Sequence, residues 1–171
     1  VPSRGLGDVY KRQVLLQNDI NATGHDVKAI ENFKDFGNRY IPSKSEFFLK
    51  NDVILSIVRD TIETENLLMN NNELLSKKNA TILICSTLPT TYISELKKKL
   101  PQNFTLIDTP MSGSTIKAQE GTLTFMVGGN ENEVQNVMPL LNILGDNILH
   151  IGEFGKGLSL IHISEPTRRY F

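Results

Sequence analysis

Short apolar runs alternate with helical patterns along most of the chain. Apolar segments of strand length occur at residues 25–31, 51–58, 80–86, 104–108, 122–129 and 147–152. Between them, apolar residues recur at helical spacing in residues 14–22, 61–69, 89–100 and 131–144, and Ser43 or Ser45 is placed to cap a short helix over 43–49. Strands separated by helix-length segments predict an α/β fold with a doubly wound, mostly parallel, Rossmann-like sheet.

The two ends of the chain share a property that the middle lacks: one DNA inverted repeat can encode both end segments. Taken in opposite directions, residues 1–13 and 158–170 permit complementary codons at every position, from Gln13 with Leu158 to Val1 with Tyr170. Folding has no reason to produce this relation, whereas attaching one oligonucleotide to both ends of a DNA fragment does. Both peptides also resemble translated transposon-end adaptors of sequencing libraries. We therefore expect residues 1–13 and 158–171 to be non-native, adaptor-like ends and residues 14–157 to be a truncated native domain.

Composition narrows the classes of function. The formal net charge is −1, and both ends are net basic, so the middle is more acidic than the whole chain. This balance gives no electrostatic reason to expect a nucleic-acid partner. No apolar run approaches the roughly 20 residues that span a bilayer, so we expect no membrane partner and a cytoplasmic location. The single cysteine, Cys85, leaves no pair for an internal disulfide and no multi-cysteine metal site.

Candidate binding residues follow the predicted strands, since ligands of a doubly wound sheet bind beyond the carboxyl ends of its strands. The strand at residues 25–31 ends in Glu31. An acid at that place accepts hydrogen bonds from an adenosine ribose and repels a 2′-phosphate, which favours NAD over NADP. The strand at 104–108 leads into Ser112, Gly113 and Ser114, whose amides and hydroxyls suit a carboxylate. A plain turn between strands explains the same three residues.

The segment DTPMSGSTIKAQEGTLTFMVGG, residues 108–129, carries the most specific pattern. It resembles the β-hydroxyacid dehydrogenase family, which includes 3-hydroxyisobutyrate dehydrogenase and tartronate semialdehyde reductase and is related to 6-phosphogluconate dehydrogenase. The family pattern is close to D-x-P-V-S-G-G followed by G-T-L-x-x-M-V-G-G. Met111 replaces the usual Val and Ser114 the usual second Gly. The stretches CSTLP and HIGEFGKG extend the resemblance over residues 14–157.

The resemblance implies an oxidoreductase that transfers hydride between NAD or NADP and a short 3-hydroxy acid such as 3-hydroxyisobutyrate. It also implies a helical C-terminal domain beyond residue 157 and a homo-oligomeric parent protein. Arg59 stands where the family commonly has Pro, and Thr87 is also placed to cap the helix that starts at residue 89. The implied cofactor residues are Glu31, Val58, Arg59 and Thr87, and the implied substrate residues are Ser112, Gly113 and Ser114.

The family's general acid/base has no counterpart in the chain. The family continues N-x-x-K after the last glycine of its H-x-G-x-x-G-x-G segment, and its lysine moves the hydroxyl proton. Counting from Gly157, the lysine position holds Ile161. Lys156 comes five residues too early, and His162 belongs to an adaptor-like end. His25 and His150 lie on predicted strands, where a structural role is expected.

These observations lead to different expectations for the chain and for its parent gene, the uninterrupted gene from which residues 14–157 derive. We expect the parent to encode the dehydrogenase and the chain to be inactive, because it lacks the lysine and the first strand with its G-x-G-x-x-G turn. The sequence Gly5-Leu6-Gly7 imitates part of that turn but follows no strand. Three alternatives stay open: a non-catalytic nucleotide-binding module, a regulatory α/β domain, or an imine-reductase-like relative that replaces the lysine.

Overall fold

The structure is a computed structural model that describes residues 4–26 and 39–164. Its helices and strands follow the predicted alternation. In chain order they are α1 (Arg4–Gln17), α2 (Lys44–Lys50), β1 (Val53–Ser56), α3 (Thr61–Leu68), α4 (Asn72–Leu75), β2 (Thr81–Ile84), α5 (Thr90–Lys99), β3 (Thr105–Asp108), β4 (Met111–Ser112), α6 (Thr115–Glu120), β5 (Leu123–Gly128), α7 (Glu131–Leu144), β6 (Gly145–Gly152) and α8 (Lys156–Ser164).

The strands form one mixed sheet in the order β1-β2-β3-β5-β4, with β6 paired to β5. The pairs β1/β2, β2/β3 and β5/β6 are parallel, whereas β5 runs antiparallel to β3 and β4. Helices cover both faces. The predicted class, an α/β fold with a mostly parallel, Rossmann-like sheet, is therefore confirmed.

Two apolar layers enclose the sheet because neighbouring strand residues point to opposite faces. In β2, Ile82 and Ile84 join the layer that contains residues of α2, α3, α4, α5 and α8. Leu83, between them, joins the layer formed with α1, α6 and α7. Each of these three β2 side chains is fully buried. The apolar residues 82–85 therefore follow one another without a polar residue, as expected for a strand covered on both faces.

Local predictions hold in part. Ser43 caps α2 by accepting the Glu46 N–H, and α7 has the predicted bounds. The expectation that residues 51–58 are buried on both faces is wrong: Val53 is 45% exposed and Leu55 is half-buried, whereas Ile54 and Ser56 are buried. The described residues do not fully cover the face of β1 that carries Val53 and Leu55.

The predicted domain junctions fall inside helices. Helix α1 runs across residue 14, and α8 runs across residue 157. Gly5 and Gly7 lie within α1 rather than in a turn between a strand and a helix. Lys11 and Arg12 are buried on α1, and burial, with the nearby charge of Arg39, lowers the pKa of Arg12. The boundaries at residues 14 and 157 stay predictions. Most of the predicted strand at 25–31, including Glu31, lies outside the described residues.

Candidate functional site

Three parallel strands end side by side at one edge of the sheet. Ser56 of β1 is in register with Ile84 of β2, and Ile84 is in register with Asp108 of β3. The loops that follow these strands therefore begin at adjacent positions. The loops after β1 and β2 carry the predicted cofactor residues Val58 and Thr87, and the segment after β3 leads to the predicted substrate residue Ser112 on β4. This edge is where a doubly wound sheet binds its ligand.

A serine that the sequence analysis did not single out joins the first two loops. Ser86 is buried, and its Oγ accepts the Val58 N–H at 2.9 Å. The Cys85 N–H donates to the Ser56 carbonyl oxygen at 3.0 Å, which continues the β1/β2 ladder beyond the named strands. The position of Val58 is thus fixed by the neighbouring loop after β2. The signal in the sequence was the hydroxyl pair Ser86-Thr87 directly after an apolar run.

Arg59 is exposed and pairs with Glu63 in the first turn of the following helix, α3. Its Nε donates to Glu63 Oε1 at 2.6 Å, and its side chain is 59% exposed. The hydrogen bond and the negative charge of Glu63 raise the pKa of the Arg59 guanidinium. Asp60, the next residue, caps α3 by accepting the Glu63 N–H at 2.9 Å. Arg59 therefore projects from the loop after β1, and its contact with a cofactor stays a prediction.

Thr87 is exposed in the loop between β2 and α5. The alternative role as a helix cap is not supported, because α5 is preceded by Pro89 and has no side-chain cap. His162 of α8 reaches this loop, with its Nε2 lying 3.0 Å from the Leu88 carbonyl oxygen. The end of α8 therefore lies beside the loop that carries Thr87.

The segment Ser112-Gly113-Ser114 forms the step from β4 into α6. Ser112 pairs with Thr124 of β5, and Gly113 has a φ of +146°, a conformation that favours glycine. A Cβ at Gly113 would lie 2.8 Å from Leu123 Cδ2, so a side chain there would displace Leu123 in addition to straining the backbone. Ser114 Oγ accepts the Lys117 N–H at 3.3 Å. The departure from the family glycine at position 114 thus supplies a helix cap.

Asp108 is a buried residue whose role the sequence analysis did not identify. The Gly155 N–H donates to its Oδ1 at 2.6 Å, and the Leu158 N–H donates to its Oδ2 at 2.7 Å. Burial raises the pKa of Asp108, although these backbone hydrogen bonds favour its ionised form. The carboxylate therefore holds the first turn of α8 against the end of β3. The only sequence signal was an acid at the end of a strand.

Helix α8 carries the position at which the family has its lysine. Ile161 at that position is 2% exposed, and Leu158 is fully buried in the same apolar layer. Lys156 is the first residue of the helix and is exposed. A buried isoleucine has no group that exchanges a proton, so α8 as it stands supplies no general acid/base at position 161.

The two strand histidines contact backbone carbonyls, as a structural role predicts. His25 Nδ1 lies 2.9 Å from the Ile41 carbonyl oxygen, and His150 Nε2 lies 2.9 Å from that of Gly129.

In residues 4–26 and 39–164 no cluster of His, Cys, Asp and Glu side chains is arranged to hold a metal ion. Within the same ranges, no helix combines the length and the apolar character needed to cross a membrane.

The sheet, its aligned strand ends and the small-residue loop define a dinucleotide-binding class of α/β domain. Comparison with known families identifies the family within this class of domain. A family model described as the NAD binding domain of 6-phosphogluconate dehydrogenase matches residues 12–152. The chain belongs to that family.

The relatives it resembles include dehydrogenases named for 3-hydroxyisobutyrate and for L-serine. The mitochondrial 3-hydroxyisobutyrate dehydrogenase of Rattus norvegicus is 32% identical over 130 residues, which are 74% of this chain and 39% of the relative. An NAD-dependent L-serine dehydrogenase of Pseudomonas aeruginosa is 33% identical over 109 residues, which are 62% of this chain and 37% of the relative.

A solved structure extends the likeness to the fold. The 3-hydroxyisobutyrate dehydrogenase of Mycobacterium tuberculosis, solved with L-serine, matches with a TM-score of 0.86 at 21% identity. The match covers 94% of this chain and 56% of that one. The chain therefore spans about half, or less, of the length of the proteins it matches.

Proposed function

We propose that residues 14–157 come from an oxidoreductase that transfers hydride between NAD or NADP and a short 3-hydroxy acid. The observation that supports this proposal is the register Ser56–Ile84–Asp108, since the segments that contain Val58, Thr87 and Ser112 start side by side from these strand ends. Family membership supports the dinucleotide. The relatives that act on 3-hydroxyisobutyrate and L-serine support the substrate class, since both compounds are short 3-hydroxy acids.

The loop residues have distinct roles in this proposal. Ser112 and the backbone of Gly113 hold the substrate carboxylate, and the hydroxyl of Ser114 adds to this while it caps α6. Val58 and Thr87 line the nicotinamide side of the cleft, and Arg59 stands at its rim. Glu31 selects NAD over NADP at the adenosine ribose. The bound nicotinamide supplies the hydride acceptor, and the protein contributes orientation and a proton path.

Two features of the chain do not fit a complete dehydrogenase site. Gly5 and Gly7 lie inside α1, so they do not form the glycine turn that receives a pyrophosphate. Position 161 holds a buried isoleucine where the reaction needs a proton acceptor. We therefore propose that the 171-residue chain is inactive and that its parent, a homo-oligomer, carries both missing parts.

Turnover assays test both halves of the proposal. The chain and the product of the uninterrupted parent gene are each incubated with NAD⁺ or NADP⁺ and with 3-hydroxyisobutyrate or L-serine, and reduced nicotinamide is followed by absorbance. The parent product is expected to turn over, and the chain is not. Cofactor binding without turnover of either acid would favour a non-catalytic nucleotide-binding module.

A matched pair of variants of the parent product tests the substrate loop, by which we mean residues 109–114 between β3 and α6. Ser112→Ala removes the hydroxyl assigned to the substrate and should raise KM for the hydroxy acid, with KM for the cofactor unchanged. Thr124→Val removes a hydroxyl from the residue paired with Ser112 on β5 and should change neither. Equal effects of the two variants would contradict the assignment of Ser112.

A further inference from the structure

The Asp108 carboxylate lies in a slot between two segments that are distant in the sequence. A Cβ at Gly128 would come within 2.3 Å of Asp108 Oδ1, and a Cβ at Gly157 within 2.9 Å of Oδ2. The same carboxylate accepts the N–H groups of Gly155 and Leu158, which precede and begin α8. Glycines at 128 and 157 thus let β5 and α8 approach the carboxylate closely, and Asp108 cannot shift without moving both.

Asp108 is also the residue from which the substrate loop departs. The Thr109 N–H donates to the Ile84 carbonyl oxygen at 2.8 Å, and the Met126 N–H donates to that of Pro110 at 3.0 Å. The path from Asp108 to Ser112 is therefore short and hydrogen-bonded on both sides. A change in the position of Asp108 must reach this loop.

We propose that Asp108 is a positioning residue that holds the substrate loop and the start of α8 as one unit. It thereby sets where residue 161 lies relative to Ser112. The importance of that distance rests on the function proposed above, whereas the mechanical coupling does not. A carboxylate is suited to the task because its two oxygens each accept a backbone N–H, and hydrogen bonds to an ionised acceptor are stronger than neutral ones.

The substitution Asp108→Asn tests the coupling with almost no change in volume. An asparagine keeps one oxygen but presents N–H groups where the second oxygen was, so one of the two backbone donors faces another donor. Amide hydrogen exchange of the 171-residue chain, followed by NMR, measures the effect. We expect roughly ten- to hundredfold faster exchange at Gly155 and Leu158, because hydrogen bonds to charged groups are the strong ones. We also expect faster exchange at Met126, which reports on the substrate loop.

The matched control is Asp60→Asn, which weakens another aspartate cap. Asp60 accepts the Glu63 N–H at the start of α3, at an exposed position. This variant should accelerate exchange near Glu63 and leave Met126, Gly155 and Leu158 unchanged. If Asp108→Asn accelerates only Gly155 and Leu158, Asp108 is a cap on α8 alone and the proposal fails.

A measurement on the unaltered chain covers the case in which Asp108→Asn does not fold. Exchange is followed at increasing low concentrations of denaturant, which groups amides that open together. The coupling predicts one shared opening for Met126, Gly155 and Leu158, and separate openings would overturn it. None of these measurements uses cofactor or substrate, so their outcome is independent of whether the parent protein proves to be a dehydrogenase.

Discussion

Helix α8 packs closely against β5 at Gly157, and Gly157→Ala is expected to destabilise the fold. A Cβ at this position would lie 2.2 Å from the Met126 carbonyl oxygen and 2.9 Å from Asp108 Oδ2. The first neighbour is backbone in the middle of β5, so it cannot rotate away, and the helix must move outward. Overpacking of this kind costs about 1–3 kcal/mol and sometimes more.

The expected net effect follows from two opposing contributions. Alanine is favoured over glycine inside a helix by at most about 1 kcal/mol, and Gly157 lies in the first turn, where the gain is smaller. Displacing α8 also strains the two backbone hydrogen bonds to Asp108 and loosens the buried Leu158. We therefore expect the free energy of unfolding to fall by about 2 kcal/mol or more.

Urea unfolding measures this change, with far-UV circular dichroism as the signal because the chain contains no tryptophan. Lys156→Ala is the control, since it alters the exposed neighbouring residue of the same helix and should change stability by less than about 0.5 kcal/mol. If Gly157→Ala is as stable as Lys156→Ala, α8 does not dock against β5 in the described way.

Four further predictions follow from single contacts. Ile161→Lys should cost several kcal/mol in urea unfolding, since it buries an ammonium in an apolar layer, whereas Ile161→Met should cost less than about 1.5 kcal/mol; equal stabilities would refute this. Ser86→Ala removes the acceptor of the Val58 N–H and should destabilise by about 1 kcal/mol, with faster exchange at Val58, and unchanged exchange there would contradict the contact. Burial raises the pKa of Asp108, so the free energy of unfolding should fall as the pH rises from the ordinary pKa of an aspartate to the raised pKa of Asp108. The variant Asp108→Asn should not show this fall. A rise in the free energy of unfolding over the same pH range would contradict the prediction. Burial, with the charge of Glu65, raises the pKa of Tyr92 to about 12, so a late tyrosine transition in an ultraviolet pH titration should be absent from Tyr92→Phe.

Several features of the fold were predictable because they depend on local patterns. Residues 80–86 contain the inner strand β2 (Thr81–Ile84), and Ile82 to Cys85 are apolar without interruption because helices cover both faces of the sheet. Helix α7 buries Val134, Val137, Leu141 and Leu144 at helical spacing, and Asn130 caps it. Both signals are visible in the sequence and needed no tertiary information.

Elements that the sequence did not predict lack such signals. Helix α6 buries only Ala118 and is held by its caps, Ser114 and Gly121, so its residues show no amphipathic period. Helix α4 is a single turn that starts from the Asn71 side chain. Strand β4 has two residues and exists because β5 pairs with it.

The candidate site likewise has parts that the sequence predicts and parts that depend on tertiary contacts. The serine and glycine loop and the absent lysine at Ile161 were identified by resemblance to a family pattern. The register of Ser56 with Ile84 and Asp108 depends on strand pairing, which local patterns do not determine. The role of Asp108 depends on contacts with residues 47 and 50 positions later in the chain. No local pattern predicts a hydrogen bond over that separation.

We propose above all that residues 14–157 belong to a dehydrogenase whose catalytic lysine follows Gly157. The most direct test is to amplify the parent locus from genomic DNA with primers inside codons 14–157 and to determine the sequence across both junctions. We predict a strand and a G-x-G-x-x-G turn before residue 14, and N-x-x-K directly after Gly157 in place of Leu158 to Ile161. An uninterrupted reading frame that continues with Leu158 and Ile161, or with any sequence lacking the lysine, would contradict this prediction.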